Sequence, residues 1–145
     1  LGYVFDGVFF CADVVFPEAT LAKYPIPYLY ALTQHLEALE RAKSVECSAV
    51  VPGHGPVMKS VEDLVATNQA AIGRVIDAIL QIVDRPLMAD EICQRLFSRM
   101  ELVMPDPQAY YLLRPTVHAY LAHLERLGQI SVEMHNHTVM WSPKG

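Results

Sequence analysis

The chain has 145 residues, with 11 Lys+Arg against 16 Asp+Glu, a formal charge of −5 and 52% hydrophobic residues. So apolar a sequence buries a core rather than staying disordered, and its acidic balance argues against broad binding to a phosphate backbone, which needs a basic face. No stretch approaches the roughly 18 uninterrupted apolar residues that a membrane-spanning helix requires.

Tyr3-Val4-Phe5 and Val8-Phe9-Phe10 flank Asp6-Gly7, a residue pair favoured by type I′ turns, so a β-hairpin is predicted at the start. A strand opening the chain on Leu1, with nothing before it to pair with, reads as a piece of a longer protein. The second apolar run ends at Asp13. Pro17, Pro25 and Pro27 then predict an ordered loop, because they forbid a continuous helix or central strand. Leu29, Leu32, Leu36 and Leu39 recur at three- and four-residue steps and predict an amphipathic helix over 28–43. A strand over 47–51 follows and runs into Pro52-Gly53-His54-Gly55. Strand, helix and strand in that order fit a crossover connection in an α/β layer.

Ser60 and Asp63 resemble a capping box, and Leu64, Val65, Asn68, Ile72, Val75, Ile76, Ile79, Leu80 and Val83 give the long stripe of a second helix that ends at Arg85-Pro86. Beyond it the pattern predicts a helix over 89–100 and a loop carrying Pro105 and Pro107. A helix over 114–127 stopped by Gly128 comes next, then a hairpin around His135-Asn136-His137. Helices followed by a terminal hairpin are the outline of a winged helix-turn-helix. Cys11, Cys47 and Cys93 are an odd number in apolar runs without CxxC spacing, the usage of reduced thiols in a cytoplasmic protein.

Asp13 and His54 each close a β-run and are separated by one helix. In open α/β sheets, groups just past the carboxyl ends of strands converge on one crevice, so residues distant in sequence can share an ion. Glycines on both sides of His54 leave its ring uncrowded. A carboxylate with an imidazole suits zinc, iron or manganese. Two ligands do not complete a site, and the chain supplies no convincing third.

Val8-Phe9-Phe10-Cys11-Ala12-Asp13 resembles the "LFTGD" element of metallo-β-lactamase-fold hydrolases, and Val51-Pro52-Gly53-His54-Gly55-Pro56 is similar to their late "PGHG" element. The resemblance extends over the chain, because one branch of that superfamily carries a winged helix after the metal domain. It implies an α/β fold: the second half of an αββα sandwich over 1–60, a linking helix over 61–85 and a winged-helix-like α+β domain over 86–145. It also implies a parent enzyme with two divalent metal ions, zinc first and iron or manganese as alternatives. Asp13 would be the bridging carboxylate and His54 a terminal ligand of the second ion. A water shared by the two ions would attack an ester, thioester, amide or phosphodiester of a small-molecule substrate. Tyr24 and Tyr28, in the loop that follows the bridging Asp, would border the substrate cleft.

Two departures stand out. Ala12 occupies the place of a glycine, which matters only if the backbone there needs positive φ. The upstream His-x-His-x-Asp-His signature is absent from this chain, so the fragment by itself is expected to be inactive. His135-Asn136-His137 does not replace it, since Val139 and Met140 follow where Asp and His are required. His35, His118 and His123 lack ligand spacing. The segment 114–129 holds only Arg114 and Arg126 as basic residues, too few for a nucleic-acid-reading helix. A packing or homodimer role is therefore preferred for the C-terminal unit. The rivals are a ribonuclease-like enzyme of the same plan and a non-catalytic interaction module.

Overall fold

Strands Tyr3–Phe5 (β1) and Val8–Ala12 (β2) form the predicted hairpin in a computed structural model that describes residues 2–144. Tyr3 faces Phe10, Val4 faces Phe9 and Phe5 faces Val8. Asp6 (φ 49°) and Gly7 (φ 73°) both take the left-handed conformation that a type I′ turn demands. On its other edge β2 pairs in parallel with Ala49–Pro52 (β3), in register from Val8↔Ala49 to Phe10↔Val51. The register slips between Phe10 and Ala12, so the end of β2 carries an irregularity directly before Asp13. Such bulges re-aim the side chains that follow them.

A parallel pair needs a long crossover. Glu18–Lys23 (α1) and Leu32–Lys43 (α2) supply it. The short α1 lies inside the stretch predicted as loop: Pro17 stands just before its first turn, where a missing N–H costs nothing, and its carbonyl accepts from Thr20 and Leu21. α2 begins four residues later than the leucine spacing predicts. Residues 28–31 belong elsewhere: the Leu29 N–H donates to Thr116 Oγ1 at 3.3 Å and its side chain is buried.

The chain divides into two compact units. The first takes in the chain as far as Pro27 and then Thr33–Gly73; the second takes Tyr28–Leu32 and the chain from Arg74 onward. The long helix Val61–Ile82 (α3) contributes to both. Ser60 Oγ accepts from the Asp63 N–H at 3.3 Å and so caps its start, as the sequence indicated. In the first unit Phe9, Cys11 and Val50 of the sheet are buried, as are Leu39 of α2 and Leu64, Val65 and Ile72 of α3.

The second unit contains Ala89–Arg99 (α4), Pro107–Arg126 (α5) and a terminal hairpin, Ile130–His135 (β4) with Thr138–Pro143 (β5). α5 starts seven residues before the predicted 114. Asp106 Oδ1 accepts from the Ala109 N–H at 2.8 Å, and Pro107 occupies a first-turn position that suits its fixed φ. Pro115 then sits inside the helix. Gly128 (φ 70°) ends α5 through paired bonds, Gly128 N–H to Glu125 O and Gln129 N–H to Leu124 O, a Schellman closure. Asp90 joins α4 to α5 by accepting from Tyr110 Oη at 2.9 Å and Arg114 Nε at 2.7 Å. Leu87 exchanges two backbone hydrogen bonds with Trp141, adding a one-residue bridge to β5. Among the described residues no helix is long and apolar enough to cross a membrane.

Candidate metal centre

Asp13 is the first residue beyond β2, and His54 is the second beyond β3. Because these strands are parallel neighbours, both residues emerge at the same carboxyl-terminal edge of the sheet. The structure brings them together: His54 Nε2 lies 3.7 Å from Asp13 Oδ1. Both side chains are well exposed, at 69% for His54 and 65% for Asp13. The cluster lies wholly within the first unit.

Backbone, rather than side-chain packing, holds the pair. The Gly53 N–H donates to Ala12 O at 2.8 Å and laces the two loops together beyond the last strand pairing. The Val14 N–H donates to Cys11 O at 3.0 Å and turns the chain immediately after Asp13. Gly53 has to be a glycine for the carboxylate to stand where it does, since a Cβ there would lie 2.5 Å from Asp13 Oδ1 and 3.2 Å from the Ala12 carbonyl carbon. Gly55 takes φ +99°, and a Cβ on it would meet Pro17 Cγ at 2.7 Å. Ala12 sits at φ 49°. The condition under which alanine matters at this place is therefore met, and the residue before the carboxylate is held in a conformation costing on the order of 1 kcal/mol for a residue with a Cβ.

The donor set is compatible with a divalent ion. Two ligands about 2.1 Å from a tetrahedral ion stand roughly 3.4 Å apart, close to the spacing of this carboxylate and imidazole. At 3.7 Å the two groups are too far apart for a strong hydrogen bond. An exposed ion pair of this kind contributes at most about 1 kcal/mol, so fold stability alone gives little reason for the juxtaposition. Among the described residues, no group of three or more His, Cys, Asp and Glu comes together as a metal site.

The neighbouring thiol does not extend the site. Cys11 is fully buried, its Sγ–H donates to Val51 O at 3.4 Å, and burial raises its pKa, which favours the protonated form over the thiolate a metal needs. His135 and His137 lie in the second unit's hairpin, where His135 Nε2 approaches Glu133 Oε2 at 3.8 Å. His35 is stacked on Phe16, with ring centroids 6.4 Å apart; burial lowers its pKa, and its Nε2 has no hydrogen-bond partner among the described residues. Tyr24 follows α1 in the first unit, exposed beneath the Lys23 ammonium. Tyr28 belongs to the second unit and its hydroxyl pairs with that of Tyr30.

Two positions escaped the sequence reading. Gly53 read only as leaving the His54 ring uncrowded, and it also works as a gap that the Asp13 carboxylate fills. Asn68 looked like one more position in the apolar stripe of α3. It is 1% exposed and hydrogen-bonded to both backbone groups of Phe16. The available signal was an amide in a row of aliphatic residues.

No protein-family model matches the chain, and no match was found among curated proteins. Solved structures do match. A β-lactamase domain protein from Burkholderia ambifaria superposes with a TM-score of 0.77 at 21% identity, over 95% of this chain and 41% of that one. A metallo-β-lactamase family protein from Thermus thermophilus gives a TM-score of 0.72 at 18% identity, over 95% and 42%. The fold of the chain is thus similar to part of the fold of these proteins, and the chain spans about two fifths of their length.

Proposed function

We propose that this chain is the C-terminal part of a metal-dependent hydrolase of the metallo-β-lactamase superfamily, and that Asp13 and His54 are two of the ligands of its metal pair. The observation that carries the reading is the 3.7 Å approach of Asp13 Oδ1 to His54 Nε2 at the carboxyl edge of parallel β2 and β3. The share of the solved structures that the chain spans supports a longer parent, whose remaining segment supplies the other ligands.

When bound, two divalent ions, with zinc preferred, supply Lewis acidity and a water of lowered pKa. This chain's own residues prepare the place. Asp13 would hold the metal through its two carboxylate oxygens. His54 presents Nε2 as a nitrogen ligand from a loop braced by two glycines. The substrate is a small molecule with an ester, thioester, amide or phosphodiester group, and Tyr24, in the same unit as the two ligands, is the side chain assigned to contact it.

The helices and terminal hairpin of the second unit are read as a winged-helix-like module. The Leu87–Trp141 bridge supports that reading, as a third, minimal strand beside the wing. Its role is packing or homodimer formation rather than nucleic-acid recognition. Arg114 is engaged by Asp90, leaving few basic groups along α5.

The test is metal content of the full-length protein after purification and zinc loading. Asp13→Ala and His54→Ala should each lose bound zinc and turnover of a thioester or ester substrate while remaining folded. Unchanged zinc content in both variants would remove the assignment.

A further inference from the structure

The two candidate ligands are largely exposed, so their placement depends on the loops that carry them, and one buried amide governs the Asp13 loop. Asn68, on α3 and 1% exposed, accepts from the Phe16 N–H through Oδ1 at 3.0 Å. Its Nδ2 donates to Phe16 O at 2.8 Å and to Leu64 O at 2.7 Å. One side chain thus satisfies both backbone groups of a loop residue, as a neighbouring strand would, while anchoring itself to its own helix. Three of its four hydrogen-bonding positions are used.

Phe16 lies three residues after Asp13, and its neighbour Pro17 extends the support to the other ligand. Pro17 packs so closely on Gly55 that no Cβ fits there, and Gly55 adjoins His54. On the far side of His54, Gly53 donates to Ala12 O and lies against the Asp13 carboxylate. The path from Asp13 through Phe16, Pro17, Gly55, His54 and Gly53 back to Ala12 is closed, and Asn68 pins it to α3.

We infer that Asn68 is a positioning residue for the metal pair: by clasping Phe16 it fixes the Asp13–Pro17 loop and, through Pro17 on Gly55, the spacing of Asp13 and His54. The inference rests on the metal reading proposed for this site. Asn68 touches neither the metal nor the substrate; it acts through the loop. Supporting groups that orient metal ligands change affinity by about 10–100-fold when removed.

The experiment is a competitive zinc titration of the full-length protein, well below its unfolding temperature, together with hydrogen exchange at the Phe16 amide. The variants are Asn68→Leu, Asn68→Asp, Val65→Ala and Asp13→Ala. Asn68→Leu keeps the branching of the side chain and loses every hydrogen bond; it should release the Phe16 amide to exchange and weaken zinc binding by about 10–100-fold. Asn68→Asp keeps the acceptor for Phe16 N–H and should fall between. Val65 is buried on α3 in the same unit and takes no part in the three Asn68 hydrogen bonds, so Val65→Ala destabilises while leaving that clasp in place and should leave affinity within about twofold.

Wild-type zinc affinity in folded Asn68→Leu overturns the inference, as does an equal loss in Val65→Ala. If Asn68→Leu fails to fold, the comparison of Asn68→Asp with Val65→Ala decides by the same criterion. Asp13→Ala separates the two claims. Zinc lost there but kept in Asn68→Leu removes the positioning role and leaves the metal site standing. Zinc kept in Asp13→Ala removes the metal reading and the inference with it.

Discussion

Adding one methyl group at Gly53 isolates site geometry from fold stability. A Cβ there would lie 2.5 Å from Asp13 Oδ1, 3.2 Å from the Ala12 carbonyl carbon and 3.4 Å from its oxygen. The carboxylate has to withdraw by the better part of an ångström, whereas ligand distances tolerate only about 0.2 Å. Gly53→Ala should therefore weaken zinc binding by about 10–100-fold, or roughly 1.4–2.8 kcal/mol. Stability should change far less. Gly53 is not among the residues of positive φ, so alanine meets no backbone penalty there and gains about 0.4–1 kcal/mol from a less flexible unfolded chain. Crowding against Ala12 opposes this by about 1 kcal/mol or somewhat more. The two nearly cancel, and the displaced carboxylate is exposed and free to swing into solvent. A competitive zinc titration beside a denaturant melt of the full-length variant reads both quantities. Zinc affinity within a factor of about two of the parent would refute the geometric argument.

Ala12→Gly should stabilise the protein by about 0.5–1 kcal/mol in a denaturant melt: relief of the left-handed alanine exceeds the added freedom of the unfolded glycine. No gain would mean that the strain is absent. Burial lowers the pKa of His35, His118 and His123 below the ordinary 6.5. Between the folded values and 6.5 the unfolded chain binds more protons, so their contribution to stability is complete above pH 6.5 and is lost as pH falls below it. Denaturation midpoints should drop on acidification through that window, and His35→Leu should flatten the first part of the fall. A midpoint independent of pH there would contradict the burial of these rings.

The elements read best from sequence were those in which local chemistry and tertiary demand coincide. Asp6-Gly7 has the turn preference that the β1–β2 hairpin uses, with both residues at positive φ. Asp13 and His54 were legible because an apolar run that stops at a ligand type marks a strand end, and parallel neighbours bring such ends together. The prolines misled. Pro17 and Pro107 read as breakers, yet each stands at a helix start where its missing N–H is harmless, and Pro115 sits within α5. The position of Leu29 against Thr116 depends on an 87-residue separation in the chain, and no local pattern carries it. The function of Asn68 was hidden for the same reason, since its partner is Phe16, 52 residues away. The positive φ of Ala12 coincides with the slip in register at the end of β2, which no local propensity encodes.

Anomalous diffraction at the zinc edge, from crystals of the zinc-loaded full-length protein, locates the metal directly. The account predicts zinc within about 2.0–2.2 Å of an Asp13 carboxylate oxygen and of His54 Nε2. Zinc bound with neither atom in its coordination shell would contradict it.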